Sequence, residues 1–350
     1  MVGLFIVIKG FTQNDVGNGP ANASLSKKNG MNAFKTSDLA FIEESYIEVR
    51  IAAAGDLMFH STQITSAYDE QSQSYDFRPV FEDVKPIIES ADLAIANFET
   101  TTAGPSRPYS GYPTFNTPDE ALDAIKYAGF DVLSTVNNHS LDTGRDGLKR
   151  TVQTIREKGL DPVGTYDEAP SSRVLMKDVQ GINVAILAYT ESTNGLGAQY
   201  PAEELHAMLN MMEQDRIMAD IREAKDLEAD LIIAFMHWGQ EYVETPNDRQ
   251  VALAQMMAEE GVDIILGSHP HVVQKSEFIE VDDHQTFVIY SMGNFISNQR
   301  VETLGEHRAL TEDGVIVNID VQKSNRTGET EIIDVYYVPT WVYRHMEPGD

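Results

Sequence analysis

The sequence contains no cysteine, few basic residues and no apolar run long enough to span a bilayer. Without cysteine the chain has no disulfide, no cysteine nucleophile and no thiolate metal ligand, so any metal must be held by His, Asp, Glu and Asn. Lys and Arg total 26 against 55 Asp and Glu, and the net charge of -29 argues against sequence-independent nucleic-acid binding, which needs a basic surface. An anionic membrane surface would also repel this chain.

The composition favours a globular protein with a separate N-terminal segment. The chain has 350 residues and 42% hydrophobic content, enough for one large domain or two ordinary ones. Residues 1–45 combine an apolar start with an Asn-, Gly-, Ser- and Lys-rich stretch, which predicts a disordered linker or the remnant of a trimmed anchor. We predict a folded domain at residues 46–345.

Strand patterns alternate with helix patterns along this domain, which predicts an α/β fold. Helices are expected at residues 75–90, broken or entered near its two prolines, at 118–128 and at 203–228. The alternating segments between residues 313 and 340 predict antiparallel strands that close a sheet edge. We therefore expect mixed sheets, packed face to face with helices outside.

Five predicted strands each end in a cluster of polar side chains. The carboxyl ends of parallel strands gather at one edge of a sheet, so these clusters are expected to meet. The remaining histidines, which we interpret as surface residues, are His206, His284, His307 and His345. The clusters are Asp56 with His60, Asn97 with Glu99, Asn138 with His139, His237 alone, and His269 with His271.

Each cluster taken alone has an ordinary structural interpretation. A role as a turn residue explains Asp56 alone equally well. The loop at residues 100–113 fits an ordinary surface loop as well as it fits a lid over a site. Together the clusters predict a metal centre, because imidazole, carboxylate and amide ligands suit Mn, Fe or Zn better than Ca and suffice for two ions. Two such ions could bridge a phosphate, and His139 could protonate the leaving group.

Six short motifs, taken in order, resemble the bacterial capsule synthesis protein family. This CapA-type family is linked to poly-γ-glutamate and is a branch of the calcineurin-like metallophosphoesterase superfamily. The resemblance covers about residues 48–298 and implies a four-layer α/β/β/α sandwich. The motifs are Gly-Asp-Leu-Met at residues 55–58, Asn-Phe-Glu at 97–99, Asn-Asn-His-Ser-Leu-Asp-Thr-Gly at 137–144, His-Trp-Gly-Gln-Glu-Tyr at 237–242, Gly-Ser-His-Pro-His-Val at 267–272 and Ser-Met-Gly-Asn-Phe at 291–295.

The resemblance also implies roles for individual residues. Asp56 and His271 would hold one metal, and Asn138, His237 and His269 the other. His139 would be the catalytic acid, oriented by Asp142. The supporting residues expected behind the ligands are Asn97, Glu241 and Asn294.

The sequence departs from the superfamily pattern at three places. The usual Asp-x-His becomes Asp56 with His60 four residues later, and Asn137 replaces the Gly of Gly-Asn-His. Asn97-Phe98-Glu99 stands where a bridging carboxylate is usual, which makes Glu99 the candidate bridge. One metal and two metals both remain open.

Two functions from different classes follow. The first is a metal-dependent hydrolase that acts on a phosphoester or on a γ-linked glutamate polymer. The second is a non-catalytic cell-surface factor that binds or exports the polymer, for which the net charge of -29 would require bound metal or a local basic patch. Either function predicts an extracytoplasmic location, at the cell surface or attached to the membrane. The expected partner is an anionic polymer or a phosphoester. Contact with membrane-bound capsule synthesis proteins is also expected.

Overall fold

The computed structural model describes residues 45–344, apart from the side chains of residues 306, 307 and 309. The predicted N-terminal linker or anchor remnant lies outside this range except for its last residue, and His345 also lies outside it. The boundaries of the domain at residues 46–345 stay a prediction. Within residues 45–344, no helix has the length and apolarity needed to cross a membrane.

The elements alternate between strand and helix over most of the chain. The strands are β1 (Tyr46–Leu57), β2 (Tyr68–Asp69), β3 (Ser74–Tyr75), β4 (Leu93–Phe98), β5 (Val132–Ser134), β6 (Asp161–Val163), β7 (Leu175–Val179), β8 (Ile182–Thr190), β9 (Leu231–His237), β10 (Ile264–Ser268), β11 (Ser276–Val281), β12 (His284–Ile289), β13 (Asn294–Ile296), β14 (Asp313–Ser324) and β15 (Thr330–Trp341). The helices are α1 (Ser61–Ala67), α2 (Lys85–Ile88), α3 (Glu120–Ala128), α4 (Gly144–Glu157), α5 (Ala202–Met208), α6 (Gln214–Asp226), α7 (Asp248–Glu259) and α8 (Val301–Leu304), with 3-10 turns at Arg78–Phe81, Leu196–Gln199 and Glu306–Glu312.

Two mixed sheets form the centre of the domain. The first has the strand order β15-β14-β1-β4-β5-β6, with β13 paired to β1, and the second has the order β11-β12-β10-β9-β8-β7. In the first sheet β1, β4, β5 and β6 are parallel, and in the second β8, β9, β10 and β12 are parallel. The antiparallel pair β14 and β15 closes one edge of the first sheet, as the sequence predicts.

Side-chain alternation along the strands creates three apolar cores. In β1, Ile51 and Ala53 face the core between the sheets, whereas Ala52 and Ala54 face the helices that cover the first sheet. On the far face of the second sheet, α6 and α7 pack against strands β8 to β10. Three cores between four layers confirm the predicted α/β/β/α sandwich.

The predicted helix at residues 203–228 is wrong, because the chain leaves the helical conformation between α5 and α6. Asn210 N donates to Gly164 O at 2.9 Å, and Met212 N donates to Thr190 O at 2.9 Å. The Asn210 side chain also donates to Ala188 O at 3.0 Å. These long-range hydrogen bonds hold residues 209–212 beside the end of β8 and replace helical ones.

The predicted helix at residues 75–90 is divided in a similar way. Only the 3-10 turn Arg78–Phe81 and the short helix α2 form there. Each begins beside a proline, which supplies no N–H to a preceding turn. By contrast, α3 ends at Gly129 with φ +104°, as its sequence predicts.

We expect Gly55→Ala to destabilise the domain strongly. A Cβ atom at this position would lie 1.9 Å from the backbone oxygen of Gly293, in the contact between β1 and the segment before β13. The expected loss in the free energy of unfolding is about 3 kcal/mol or more, because backbone atoms cannot move aside. Urea denaturation measures it.

Gly159→Ala is the control, since a Cβ there meets nothing within 4 Å and only the φ of +74° is strained. It is expected to cost about 1 kcal/mol. Equal losses in both variants would contradict the close approach at Gly55.

Candidate metal centre

The polar clusters of the two sheets meet at one end of the sandwich. Asp56 of β1 lies beside Asn97 of β4 in the strand register, and Glu99 follows directly after β4. In the second sheet His237, the last residue of β9, lies beside Ser268 at the end of β10. Because these strands are parallel within each sheet, their carboxyl ends form a common edge.

Asn97 connects two buried carboxylates. Its Nδ2 donates to Asp56 Oδ1 at 2.8 Å and to Glu99 Oε2 at 3.1 Å. Asp56 and Glu99 are both fully buried. The remaining Asp56 oxygen, Oδ2, accepts from His271 Nδ1 at 3.0 Å. Two acidic groups therefore lie close together, buried from the bulk solvent that would screen their charges.

The orientation of Asn294 identifies the protonated nitrogen of His271. Asn294 Nδ2 donates to the backbone oxygen of Thr311 at 2.8 Å, and this oxygen can only accept. Asn294 Oδ1 therefore faces His271 Nδ1, 3.1 Å away, and the ring nitrogen donates to it. This leaves Nε2 as the nitrogen that faces Glu99, 3.8 Å from its Oε1.

Glu99 presents a buried oxygen that lacks a hydrogen-bond partner. Its Oε1 is buried and unpartnered, and it lies 3.8 Å from His237 Nε2. Burial raises the pKa of the Glu99 carboxyl well above its usual value, and the neighbouring Asp56 charge raises it further. A cation bound at Oε1 would reverse this effect and satisfy the oxygen.

His269 presents a second unpartnered atom, on a strained backbone. Its Nδ1 is buried without a hydrogen-bond partner. Burial lowers the pKa of His269 to about 4, with a further contribution from His271, so the ring is neutral and has a lone pair to donate. The φ angles of His269 and His271 are +94° and +58°. Left-handed conformations cost non-glycine residues about 1–3 kcal/mol, and such strain is concentrated at functional sites.

His237 and Asn138 complete the second side of the cluster. His237 Nε2 lies 3.0 Å from Asn138 Oδ1, and its Nδ1 lies 3.0 Å from Ser268 Oγ. Burial holds the pKa of His237 well below its usual value, with smaller contributions from His269 and His271. This ring is also neutral.

The side chains form three overlapping sets, in each of which one donor atom per residue lies within 4.8 Å of the others. The cluster offers neutral imidazoles and carboxylates, and two of their buried atoms have no hydrogen-bond partner. This combination suits a divalent cation, so the cluster is a candidate metal-binding site. Glu241, which the sequence predicts as a residue that supports the ligands, instead belongs to one of the three sets, and it is exposed. The sets are Asp56, Glu99 and His271; Glu99, His237 and His269; and Glu241, His269 and His271.

The structure does not bring His60 into any of these sets. Its Nδ1 accepts from Asn298 N at 3.2 Å, and its ring packs edge-on against Phe115 with centroids 5.3 Å apart. Burial lowers the pKa of His60 to about 4. His60 therefore connects two loops at the rim of the site.

His139 and Asp142 form a hydrogen-bonded pair beside the cluster. Asp142 Oδ2 accepts from Phe115 N at 2.7 Å and lies 2.8 Å from His139 Nδ1, so the ring nitrogen donates to it. Their side chains are 6% and 1% exposed. His139 Nε2 has no hydrogen-bond partner within residues 45–344. This arrangement leaves one nitrogen free to exchange a proton.

Sequence reasoning missed Ser268 and Tyr242 as site residues. Ser268 contacts His237, and its position at a predicted strand end was the available signal. Tyr242 N donates to Pro270 O at 2.8 Å, and its ring centroid lies 6.0 Å from that of His271. Tyr242 occurs in a motif, but no local pattern places its ring over a distant histidine. The roles assigned to the predicted ligands stay predictions.

Comparison with known proteins identifies the family. Residues 50–299 match the model of the family described as bacterial capsule synthesis protein PGA_cap. The chain belongs to this family. The family predicted from the six motifs is therefore confirmed.

Two curated proteins resemble this PGA_cap chain over most of its length. It is 31% identical over 298 residues to the capsule biosynthesis protein CapA of Bacillus anthracis, which covers 82% of this chain and 66% of that protein. It is 32% identical over 263 residues to the PGA biosynthesis protein CapA of Bacillus subtilis (strain 168), which covers 73% of this chain and 65% of that protein. The chain thus spans just under two thirds of each relative.

A solved structure confirms the architecture. The NAD nucleotidase of Haemophilus influenzae superposes with a TM-score of 0.51 at 13% identity, over 85% of this chain and 57% of that one. At this identity the likeness concerns the fold alone. It agrees with the α/β/β/α sandwich predicted from the sequence.

We expect His269→Ala to weaken Mn²⁺ binding by about 100-fold or more, because loss of a ligand costs at least as much as loss of its supporting contacts. Isothermal titration of the metal-free protein measures the affinity.

The wild type is also expected to gain about 2.7 kcal/mol in its free energy of unfolding at a metal concentration of about 100 Kd, because the metal binds the folded state. A thermal unfolding experiment measures this gain.

His206→Ala is the matched control. The His206 side chain is 40% exposed and lies 3.1 Å from Glu213, so its loss is expected to leave Mn²⁺ affinity unchanged. Wild-type affinity in His269→Ala would remove His269 from the metal centre.

Proposed function

We propose that this chain is a metal-dependent hydrolase in capsule synthesis, acting on a phosphoester or on a γ-linked glutamate polymer. The observation that carries the proposal is the pair of unpartnered buried atoms, Glu99 Oε1 and His269 Nδ1, in a cluster of neutral imidazoles and carboxylates. Groups buried without partners destabilise a fold, and functional sites are where proteins retain them.

The proposed cofactor is one or two divalent ions, with Mn, Fe and Zn as the candidates that suit nitrogen and oxygen ligands. Asp56 and His271 would hold one ion, and His237, His269 and Asn138 the other. Glu99 belongs to a set on each side, which supports it as the bridging carboxylate. When bound, the metal supplies a Lewis acid that stabilises negative charge on the substrate.

His139 is the proposed proton donor to the leaving group. With Nδ1 donating to Asp142, the proton available for transfer is held at Nε2, which has no partner within the described residues. Phe115 N fixes the Asp142 carboxylate, and the carboxylate fixes the orientation of the ring. The pair thus positions a general acid without loss of side-chain freedom during the reaction.

The biological setting is part of the same proposal. The names of the two CapA relatives support a role in forming a poly-γ-glutamate capsule. Because a capsule lies outside the cell, we propose an extracytoplasmic, membrane-attached or surface location and partners among membrane-bound capsule synthesis proteins.

We expect His139→Gln to lower kcat for a dialkyl phosphodiester, whose alkoxide leaving group needs a proton, by about 10²- to 10⁴-fold in the Mn²⁺-loaded protein, since general acid catalysis contributes that much. Asp142→Asn is expected to lower kcat less, because it removes the orienting charge but keeps the ring. Metal content, measured in parallel, is expected to stay at the wild-type value in both variants.

The same assays on a γ-linked glutamate oligomer cover the second substrate class, and His206→Gln is the surface control. Metal-loaded wild type that hydrolyses neither substrate would contradict the enzyme proposal. If polymer production in cells also survived His139→Gln, the non-catalytic surface factor would replace it.

A further inference from the structure

We propose that Arg308 is a substrate-binding residue that holds an oxyanion of the substrate, a phosphate or a carboxylate, at the mouth of the metal centre. The inference rests on the proposed function, because it concerns the substrate of that site. The observation that carries it is a guanidinium that stacks on Tyr242 beside a cluster of carboxylates and has no acidic partner among the side chains that the structure describes.

Arg308 lies close to the candidate metal ligands. Its Cζ is 3.9 Å from the centroid of the Tyr242 ring, and that ring lies 6.0 Å from the ring of His271, centroid to centroid. Tyr242 is itself held by its backbone hydrogen bond to Pro270, between the two strained histidines. The cation is therefore fixed at the rim and not on a remote surface.

Arg308 is one of a minority of described arginines without an ion pair, together with Arg107, Arg173 and Arg344, and among these it is the one in contact with Tyr242 beside the candidate ligands. Nine other arginines in the described chain lie within ion-pair distance of a carboxylate. Arg308 forms no ion pair with a described residue, although the chain carries a net charge of -29. A guanidinium without a carboxylate partner among the described side chains retains its charge and its N–H groups for an external anion.

The segment that carries Arg308 is anchored to the metal centre. Thr311 Oγ1 donates to Arg308 O at 2.9 Å, and Thr311 O accepts from Asn294, the residue that orients His271. Gln299 connects Tyr242 to Asn294. Its Nε2 donates to the Tyr242 hydroxyl at 3.3 Å, and its Oε1 accepts from Asn294 Nδ2 at 3.1 Å. These hydrogen bonds fix the backbone that carries Arg308 and the Tyr242 ring that its guanidinium contacts, which reduces the entropy cost of binding a ligand there.

A second anchor fixes the ends of the same segment. Arg300, with a side chain 7% exposed, donates to Glu312 Oε2 at 3.1 Å and to Val342 O at 2.6 Å. Glu312 also accepts from Val301 N at 3.0 Å. The buried pair ties the segment to the end of β15, so Arg308 lies on a supported loop.

Electrostatics explain why the site needs such a residue. Asp56, Glu99 and Glu241 are among the candidate ligands, and Glu241 is exposed. These carboxylates repel an anionic substrate to the extent that bound metal does not offset their charge. A planar guanidinium at the mouth offsets the repulsion and matches the two oxygens of a carboxylate or phosphate. Both proposed substrate classes carry such an oxyanion.

The test measures binding to Mn²⁺-loaded wild type, Arg308→Met and Arg308→Lys by isothermal titration, with inorganic phosphate and a short γ-linked glutamate oligomer as separate probes. Arg308→Met is expected to weaken binding of at least one probe by about 10- to 100-fold, the effect of losing a charged hydrogen-bond donor. Arg308→Lys is expected to lose less, because it keeps the charge but not the planar fork. Arg222→Met, whose arginine lies 3.9 Å from Glu260 with a 63% exposed side chain, is the control and is expected to bind as wild type.

The two probes separate the substrate classes. Loss of phosphate binding alone identifies a phosphoester oxyanion, and loss of oligomer binding alone identifies the carboxylate of a glutamate polymer; either result supports the inference. Binding of both probes at wild-type affinity in Arg308→Met, or no binding of either probe to metal-loaded wild type, would overturn it. Because binding is measured without turnover, absence of hydrolysis would refute the enzyme proposal and leave this result interpretable.

Discussion

The hydrogen bonds of Asn97 to two buried carboxylates are the constraint on which the rest of the site depends. One amide group satisfies Asp56 Oδ1 and Glu99 Oε2, but it leaves Glu99 Oε1 without a partner. Burial raises the pKa of the Glu99 carboxyl, and repulsion from the neighbouring Asp56 carboxylate raises it further. A cation relieves that repulsion. The neutral rings of His237 and His269 therefore fit the role of further ligands to the same ion.

The fold maintains this arrangement by bringing backbone segments unusually close. Gly55 and Gly267, which precede the two halves of the site, have no room for a side chain, since a Cβ on either would lie 1.9 Å from a backbone oxygen. These contacts bring the ends of β1 and β10 against the segment that carries Asn294. The site is thus built where strand ends of the two sheets meet, and the strands hold in place the short segments that carry Glu99, His269 and His271.

Much of this organisation could be predicted from the sequence, because one rule governs it. Parallel strands place their carboxyl ends together, so the strand pattern alone is enough to assign Asp56, Glu99 and His237 to one site. This rule does not predict the course of the chain beyond the end of a strand. His60 follows the extended segment after Asp56, in which Met58 N donates to Ile296 O at 2.7 Å, and this carries its ring to the rim. The break at Asn210 and the contact of Arg308 with Tyr242 depend on partners far away in the chain, which no local pattern encodes.

The metal content of purified protein tests the central claim most directly. Wild type and Glu99→Gln would be dialysed against Mn²⁺, freed of excess metal and measured by inductively coupled plasma mass spectrometry. Glu99→Gln keeps the size and the hydrogen-bonding oxygen of the side chain but removes its charge, so any change reports on the carboxylate. The account predicts stoichiometric metal in the wild type and a marked loss in Glu99→Gln. A wild type without stoichiometric transition metal, or equal content in the two proteins, would contradict it.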